Sequence, residues 1–258
     1  MADYDVCARH RGLLASNPIA APNKKMNMIT GALKKVFPDH PIQVRIWRGP
    51  FRGARVVMNP RHSMRKIFGL YEHELNGWID AALRRVNRVV DVGANDGYFT
   101  FGCAAAFHRL GKAGEIVVFE PLEQHFQTLQ QSVSIQPSGV QFTFKQSLVG
   151  REIQPGMTSL DSVQWKTGYP DERKGVLVKI DVEGAEMEVL AGASSWLNPS
   201  NYFLIEVHQR SFIESIIRLF AEKDLALERV NQRPLALIGR EGRAEENWWL
   251  VSRLDSLR

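Results

Sequence analysis

The sequence contains only two cysteines, Cys7 and Cys103, among its 258 residues. So few cysteines exclude a disulfide-rich scaffold, and neither has the close neighbour that a cysteine zinc site needs. Long apolar runs are also missing, because runs such as residues 116–119 are far shorter than the ~20 residues of a membrane-spanning helix. Residues 1–19 have no apolar stretch typical of a secretory signal. We therefore expect a cytoplasmic protein without a transmembrane segment.

The sequence has the composition of a globular protein, with 44% apolar and 24% charged residues. Its charge is uneven: residues 1–70 hold 13 Lys and Arg against 3 Asp and Glu, whereas residues 71–258 hold 20 against 25. A basic region can bind a phosphate-rich or membrane-surface partner. Because these arginines are dispersed along the chain, we favour a solvated basic face.

Three regions are predicted along the chain. Residues 1–23 have few large apolar side chains and are expected to form a loose arm. Residues 24–70 are expected to form an N-terminal appendage, with a helix over residues 23–37 and a β-hairpin over residues 42–58. Residues 71–258 form the predicted main domain.

In the main domain, short apolar segments alternate with amphipathic ones. This order predicts an α/β fold with a mainly parallel seven-stranded sheet and helices on both faces. Ligands of such sheets bind at the carboxyl ends of the strands. The predicted strands are 88–92, 115–119, 140–144, 176–180, 202–207, 225–230 and 248–252, and the predicted helices are 71–83, 98–110, 123–135, 185–197 and 212–223.

The first candidate ligand-binding motif follows strand 88–92 and opens the next helix. Gly93 permits a tight turn and a close approach of a ligand to the backbone, and Gly97 lets the helix begin near the strand. The free N–H groups at the start of a helix suit a carboxylate. Asp91, at the strand end, is expected either to order the loop or to accept a hydrogen bond from a ligand ammonium.

The second motif is Glu120 and Pro121, at the end of the next strand. A carboxylate there can accept hydrogen bonds from both hydroxyls of a ribose, so the two motifs together predict a nucleoside-containing ligand. The alternative is that the glycines serve packing and Glu120 is a helix-start charge. A dinucleotide is disfavoured because Asn95 replaces the second glycine of G-x-G-x-x-G and Asp96 repels a pyrophosphate. A nucleoside that carries methionine fits better.

The third motif places Asp181 and Glu183 at the end of strand 176–180. Asp181 is predicted to face the site, with helix capping as its alternative role. Gly184 permits a turn into the next helix, and Glu186 is interpreted as a helix-start residue that the helix dipole favours.

The fourth motif is Glu206 and His208, which share one face of their strand. His208 suits a general base because the ordinary pKa of histidine is near ~6.5, although a surface histidine bonded to a loop is equally compatible. A metal site from these two residues with Asp181 and Glu183 is conceivable, but the spacing is not diagnostic, and we predict no metal.

These segments together resemble the FkbM-type methyltransferases. The most specific part is Lys-Ile-Asp-Val-Glu-Gly-Ala-Glu at residues 179–186, and the resemblance covers roughly residues 70–208. The segments that carry it are residues 90–100, 119–121, 159–161, 178–186 and 205–208. The resemblance implies a Rossmann-like enzyme that uses S-adenosyl-L-methionine and methylates a hydroxyl of a sugar, glycolipid or polyketide-type product.

The predicted catalytic residues are His208 and Asp181. The segment with Glu72 resembles the family's segment that closes over the cofactor, and Ser147 and Leu148 are expected to flank adenine. We expect a small-molecule or glycan acceptor in preference to nucleic acid, and the sequence leaves a homodimer open. An RNA methyltransferase and a nicotinamide-dependent oxidoreductase are the alternative functions. The predicted cofactor-binding residues are Glu72, Asp91, Gly93, Asn95, Gly97, Tyr98, Glu120, Pro121, Ser147, Leu148 and Asp181.

Overall fold

A computed structural model describes residues 37–166, 175–233, 235 and 247–254 of the chain. The strands are β1 (Ile42–Arg45), β2 (Arg55–Met58), β3 (Arg88–Val92), β4 (Gly114–Phe119), β5 (Val140–Lys145), β6 (Leu148–Val149), β7 (Met157–Thr158), β8 (Val176–Ile180), β9 (Tyr202–Val207), β10 (Leu227–Val230) and β11 (Trp248–Ser252). The α-helices are α1 (Met64–Ile67), α2 (Asn76–Arg85), α3 (Tyr98–Arg109), α4 (Glu123–Val133), α5 (Glu186–Ala191) and α6 (Arg210–Ala221).

Seven strands form the central sheet in the order β10-β11-β9-β8-β3-β4-β5. The five strands from β9 to β5 in this order are parallel, whereas β11 is antiparallel to both β9 and β10. The prediction of a mainly parallel seven-stranded sheet is confirmed. The chain leaves β3 first toward β4 and later returns to β8 on the other side, so the carboxyl end of β3 is the switch point where a ligand is expected.

Helices cover both faces of the sheet, and an apolar core lies under each layer. Successive residues of β3 alternate between the two cores, with Val89 in one and Val90 in the other. Every residue of β3 and of β8 is buried, which explains why their sequences are mostly apolar. Among the described residues, no helix has the length and apolar character that crossing a bilayer requires.

The predicted β-hairpin is present as β1 and β2, which pair antiparallel in a separate two-stranded sheet. Its apolar side chains share one core with the main domain, and Phe51 packs where α3 has no side chain, at Gly102. The N-terminal arm and nearly all of the predicted helix over residues 23–37 lie outside the described residues. Phe37 itself is described, and it lies in a bend.

Two predicted helices of the main domain differ from the observed ones by more than two residues at one end. The first begins later, because residues 73–75 form a 3-10 turn before α2. The helix predicted over residues 185–197 ends at Ala191, and the next residue, Gly192, packs so closely that a Cβ there would lie 2.1 Å from the Gly150 carbonyl oxygen. Asp161 holds the chain that follows in a turn by accepting hydrogen bonds from the Ser194 and Ser195 amides.

Candidate cofactor and catalytic site

The loop after β3 is fixed to the ends of both neighbouring strands. Gly93 has φ +80°, and a Cβ there would lie 1.8 Å from the Asp181 carbonyl oxygen. Its amide and that of Ala94 donate to the Phe119 carbonyl oxygen at 3.0 and 3.1 Å. Gly97 also has a positive φ and is closely surrounded by Phe101 and Leu129. Only glycine fits the first position, because any side chain would meet backbone.

Glu120 reaches from the end of β4 to this loop. The side chain is buried, and its Oε2 accepts a hydrogen bond from the Asn95 amide at 2.8 Å. Its Oε1 accepts from the Leu122 amide at 2.9 Å, with His125 Nδ1 at 3.7 Å. Asn95 adopts a left-handed conformation, with φ +51°. The structure therefore brings together the two motifs that the sequence predicted to share one ligand.

The predicted adenine-flanking residues lie at the start of β6. Gln146 Nε2 donates to Glu123 Oε2 at 2.6 Å, which ties this segment to the chain just after Glu120 and Pro121. Leu148 is 47% exposed. Leu122, which the sequence analysis did not select, is 58% exposed. These exposed apolar side chains can cover an aromatic base, and Ser147 donates to the Leu148 carbonyl oxygen at 2.8 Å.

Asp91 lies below the loop rather than in the wall of the cavity. It is fully buried, and its oxygens accept hydrogen bonds from Thr100 Oγ1 at 2.5 Å and from Lys179 Nζ at 3.2 Å. Lys179 also donates to the Gly93 carbonyl oxygen at 2.8 Å. Of the two predicted roles for Asp91, these contacts favour ordering the loop.

Lys179 is the central cation of the site, and the sequence analysis missed it. Its Nζ lies 3.3 Å from Asp181 Oδ2 as well as near Asp91. Burial alone would lower the pKa of Lys179, but the charges of Asp91 and Asp181 outweigh it and raise the pKa. Burial favours a higher pKa for Asp181, but the charge of Lys179 and a hydrogen bond with Glu206 lower it. The sequence could have indicated Lys179, because it is a charged residue within an otherwise apolar strand.

A small cavity of about 70 Å³ adjoins the loop. Tyr71 and Glu72, in the segment that the resemblance implies closes over the cofactor, lie in its wall, and Lys66 closes one side through a 2.6 Å ion pair with Asp96. The cavity is too small for a whole nucleoside, since ligand sites usually enclose ~300 Å³ or more. A nucleoside must therefore extend along the open edge past Glu120. The wall also contains Phe51, Leu75, Asn76, Ile79, Gly93, Ala94, Asn95, Tyr98, Phe99, Lys179, Asp181, Leu204 and Trp249.

His208 follows β9 and lies beside this cavity. Its Nδ1 is 2.7 Å from Glu186 Oε1, and its Nε2 is 3.4 Å from Glu183 and 3.9 Å from Asp181. Glu186 is fully buried at the first turn of α5, where its Oε1 also accepts from the Gly184 amide. The interpretation of Glu186 as a helix-start residue is right for its position, but it missed the contact with His208.

The carboxylates around His208 change its proton affinity. Burial lowers the pKa of His208, but the hydrogen bond with Glu186 and the charges of Glu183 and Asp181 outweigh burial, so the pKa lies above its ordinary value. When the ring is neutral, the contact with Glu186 places its proton on Nδ1. The Nε2 lone pair then points away from Glu186.

Asp181, Glu206 and His208 converge as the strand-face argument predicted. One ligand atom from each lies within 4.8 Å of the others, a spacing that could hold a divalent cation. Asn247 Nδ2 donates a hydrogen bond to Glu206 Oε1, and Lys179 already places a positive charge on Asp181. A metal ion at Asp181 would be repelled by that ammonium group.

The fold is that of Rossmann-like class I methyltransferases. The METTL16 methyltransferase domain superposes with a TM-score of 0.52 at 12% identity, covering 86% of this chain and 91% of that one. The precorrin-6y C5,15-methyltransferase from Geobacter metallireducens gives a TM-score of 0.43 at 10% identity, covering 72% and 87%. The predicted fold class is confirmed.

The predicted resemblance to the FkbM-type methyltransferases is also confirmed. Residues 132–231 match the family model described as Methyltransferase FkbM domain. A curated relative, the hexuronic acid methyltransferase AglP of Haloferax volcanii, is 26% identical over 171 residues, which cover 58% of this chain and 69% of the relative. The fold and the family match together support an S-adenosylmethionine-dependent methyltransferase.

Proposed function

We propose that this protein transfers a methyl group from S-adenosylmethionine to a hydroxyl of a sugar-containing acceptor. The observation that carries the proposal is the contact of Glu120 with the Asn95 amide, because it unites a glycine turn and a ribose-type carboxylate at the switch point. The relative's name, a hexuronic acid methyltransferase, supports a sugar among the acceptors that the sequence suggested.

The cofactor is proposed to lie across the ends of β3, β4 and β5. The backbone carbonyl oxygens of Gly93 and Asn95 accept hydrogen bonds from the ammonium of its methionine end, on a loop that Asp91 and Lys179 order. Glu120 accepts from the ribose hydroxyls with its remaining lone pairs. The apolar side chains beside Ser147 cover adenine. When bound, S-adenosylmethionine supplies an electrophilic methyl group. Tyr98, Gly97, Pro121, Glu72 and Asp181 complete the proposed binding surface.

His208 is proposed as the general base that takes the acceptor hydroxyl proton on Nε2. Its Nδ1 proton is held by Glu186, so the ring is already oriented for that role. Asp181 is the weaker candidate because Lys179 lowers its pKa and with it the affinity of Asp181 for a proton. Asp181 is instead expected to position the acceptor between His208 and the loop.

The proposed ribose contact predicts that Glu120→Gln weakens S-adenosylhomocysteine binding by about 10- to 100-fold. A hydrogen bond to a charged group contributes about 1.5–3 kcal/mol, and the amide offers one acceptor atom instead of two. Isothermal titration calorimetry measures the dissociation constant. Glu228→Gln is the matched control, since Glu228 is exposed on β10, at the edge of the sheet opposite β5. Equal affinities of the two variants would remove Glu120 from the ribose site.

The Glu186 contact predicts a specific change in the titration of His208. In the wild-type protein its pKa should lie above the ordinary value of ~6.5. Glu186→Gln should lower it, because the neutral amide no longer stabilises the imidazolium, so that the ring is neutral at lower pH than in the wild type. NMR of the histidine ring protons between about pH 5 and 9 measures this without an acceptor, with His208→Asn to assign the signal.

The control for this titration is Glu188→Gln, on the same helix, whose carboxylate is 61% exposed and 3.7 Å from Arg151. It should leave the pKa of His208 unchanged. A pKa that is the same in wild type and Glu186→Gln would contradict the proposed pairing.

A further inference from the structure

A second and larger cavity, of about 890 Å³, lies away from the candidate site. Its wall is formed by the β-hairpin, the last turn of α3 and residues 135–138. Because α3 begins at the candidate site with Tyr98 and contributes Ala105 and Arg109 to the cavity wall, the two lie roughly 10–17 Å apart along the helix, at ~1.5 Å per residue. We call this cavity the basic groove, after the lining residues Arg45, Arg52, Arg55, His108 and Arg109, with Trp47 at its edge.

Two of these arginines face each other across the hairpin. Arg45 and Arg55 are directly paired in the register of β1 and β2, and both are exposed. Their side chains therefore leave the same face of the hairpin, about 5 Å apart at Cβ, where like charges repel. In the part of the chain that the structure describes, the wall of the groove contains no carboxylate to separate these charges. A bound anion would remove the repulsion.

Arg52 and Arg109 form a second pair of cations in the same wall. The guanidinium of Arg109 donates to the carbonyl oxygens of Arg52 at 2.9 Å and Pro50 at 2.8 Å, which holds it in place without neutralising it. Burial, followed by the charge of Arg52, lowers the pKa of Arg109, while Asp80 on α2 opposes that shift. The groove therefore carries several positive charges, and that of Arg109 is held in place by hydrogen bonds.

Trp47 gives the groove an aromatic surface beside these charges. It is 64% exposed, and its ring packs edge-to-face against Phe68, with centroids 5.1 Å apart. A flat apolar ring next to guanidinium groups suits a pyranose that bears a carboxylate, since guanidinium binds carboxylate through two parallel hydrogen bonds. Single-stranded RNA is less well matched, because its binding sites stack successive bases on several aromatic side chains.

We propose that the basic groove binds an acidic oligosaccharide, with Arg45 and Arg55 on its carboxylates and Trp47 against a sugar face. This inference rests on the proposed function, because the bound chain would be the distal part of the acceptor whose hydroxyl is methylated at the candidate site. The groove thereby selects anionic sugar chains long enough to reach from the groove to the candidate site.

The test measures binding of a uronic acid oligomer, such as a short oligogalacturonate, to the whole chain by calorimetry without cofactor. Arg45→Gln with Arg55→Gln should weaken binding about tenfold or more. The matched control, Arg210→Gln with Arg218→Gln, removes the same charge from exposed positions on α6 and should change affinity less than twofold. Trp47→Ala should also weaken binding, although it leaves the charge unchanged.

Several results would overturn the assignment: equal affinities of the two double variants, equal binding of a neutral oligosaccharide, or tighter binding of an oligonucleotide of the same charge. Titration with S-adenosylhomocysteine separates the two proposals. If that nucleoside does not bind, the proposed function fails, whereas normal nucleoside binding together with no oligogalacturonate binding rejects the groove alone.

Discussion

Gly93→Ala should abolish measurable binding of S-adenosylhomocysteine and destabilise the fold. At φ +80° an alanine side chain is strained by about 1–3 kcal/mol, and its Cβ would lie 1.8 Å from the Asp181 carbonyl oxygen. Because that oxygen belongs to the backbone at the end of β8, the loop must move. Its movement breaks the two amide contacts to Phe119 and displaces Asn95 from Glu120.

The control for this prediction is Gly111→Ala, in the turn after α3. Gly111 also has a positive φ, +66°, but a Cβ there would meet nothing within 4 Å. Gly111→Ala should therefore lose only the stability that a positive φ costs alanine, and it should keep its affinity for the nucleoside. Chemical denaturation and calorimetry on both variants measure the two effects. If Gly93→Ala binds as well as Gly111→Ala, the close approach of the loop to β8 is not needed for the site.

His208→Asn should lower kcat by about 100- to 10,000-fold, the usual contribution of a positioned general base. The dissociation constant of S-adenosylhomocysteine should change less than twofold, because His208 lies beside the cavity and outside the proposed cofactor surface. Transfer of labelled methyl from S-adenosylmethionine to a uronic acid oligosaccharide measures kcat. His62→Asn, at a side chain that is 68% exposed in the turn after β2 and contacts Asp39, is the control.

A His208→Asn enzyme that keeps its kcat would show that another group takes the proton or that none is needed. In that case kcat of Asp181→Asn tests the alternative base, since Asp181 is the second candidate at the mouth of the site. Loss of nucleoside affinity in His208→Asn would instead place His208 in the cofactor surface, against the present assignment.

The centre of the sheet was predictable because its strands are buried on both faces. Their sequences are therefore mostly apolar, as in β3 and β8, and the local pattern suffices to find them. Gly93 and Glu120 could also be selected from the sequence, because each directly follows a predicted strand. The close contact of Gly192, just after α5, with Gly150 was not predictable, since Gly150 is distant in sequence.

The contacts that define the catalytic part of the site could not be predicted from the sequence. Glu186 and His208 each have an ordinary local explanation, and only the tertiary fold places their side chains 2.7 Å apart. Lys179 gave a signal, a charge within an apolar strand, but its partners Asp91 and Asp181 are known only from the structure. The basic groove likewise depends on how the hairpin packs against α3.

The central claim is that the loop after β3 and Glu120 together bind an adenosyl nucleoside that carries methionine. Calorimetric titration of the whole chain with S-adenosylhomocysteine and, separately, with NADH tests it most directly. We expect saturable binding of the first at one site per chain and no measurable heat from the second, because Asn95 replaces the second glycine of the dinucleotide motif and Asp96 repels a pyrophosphate. Saturable binding of NADH with none of S-adenosylhomocysteine would contradict the account and favour an oxidoreductase.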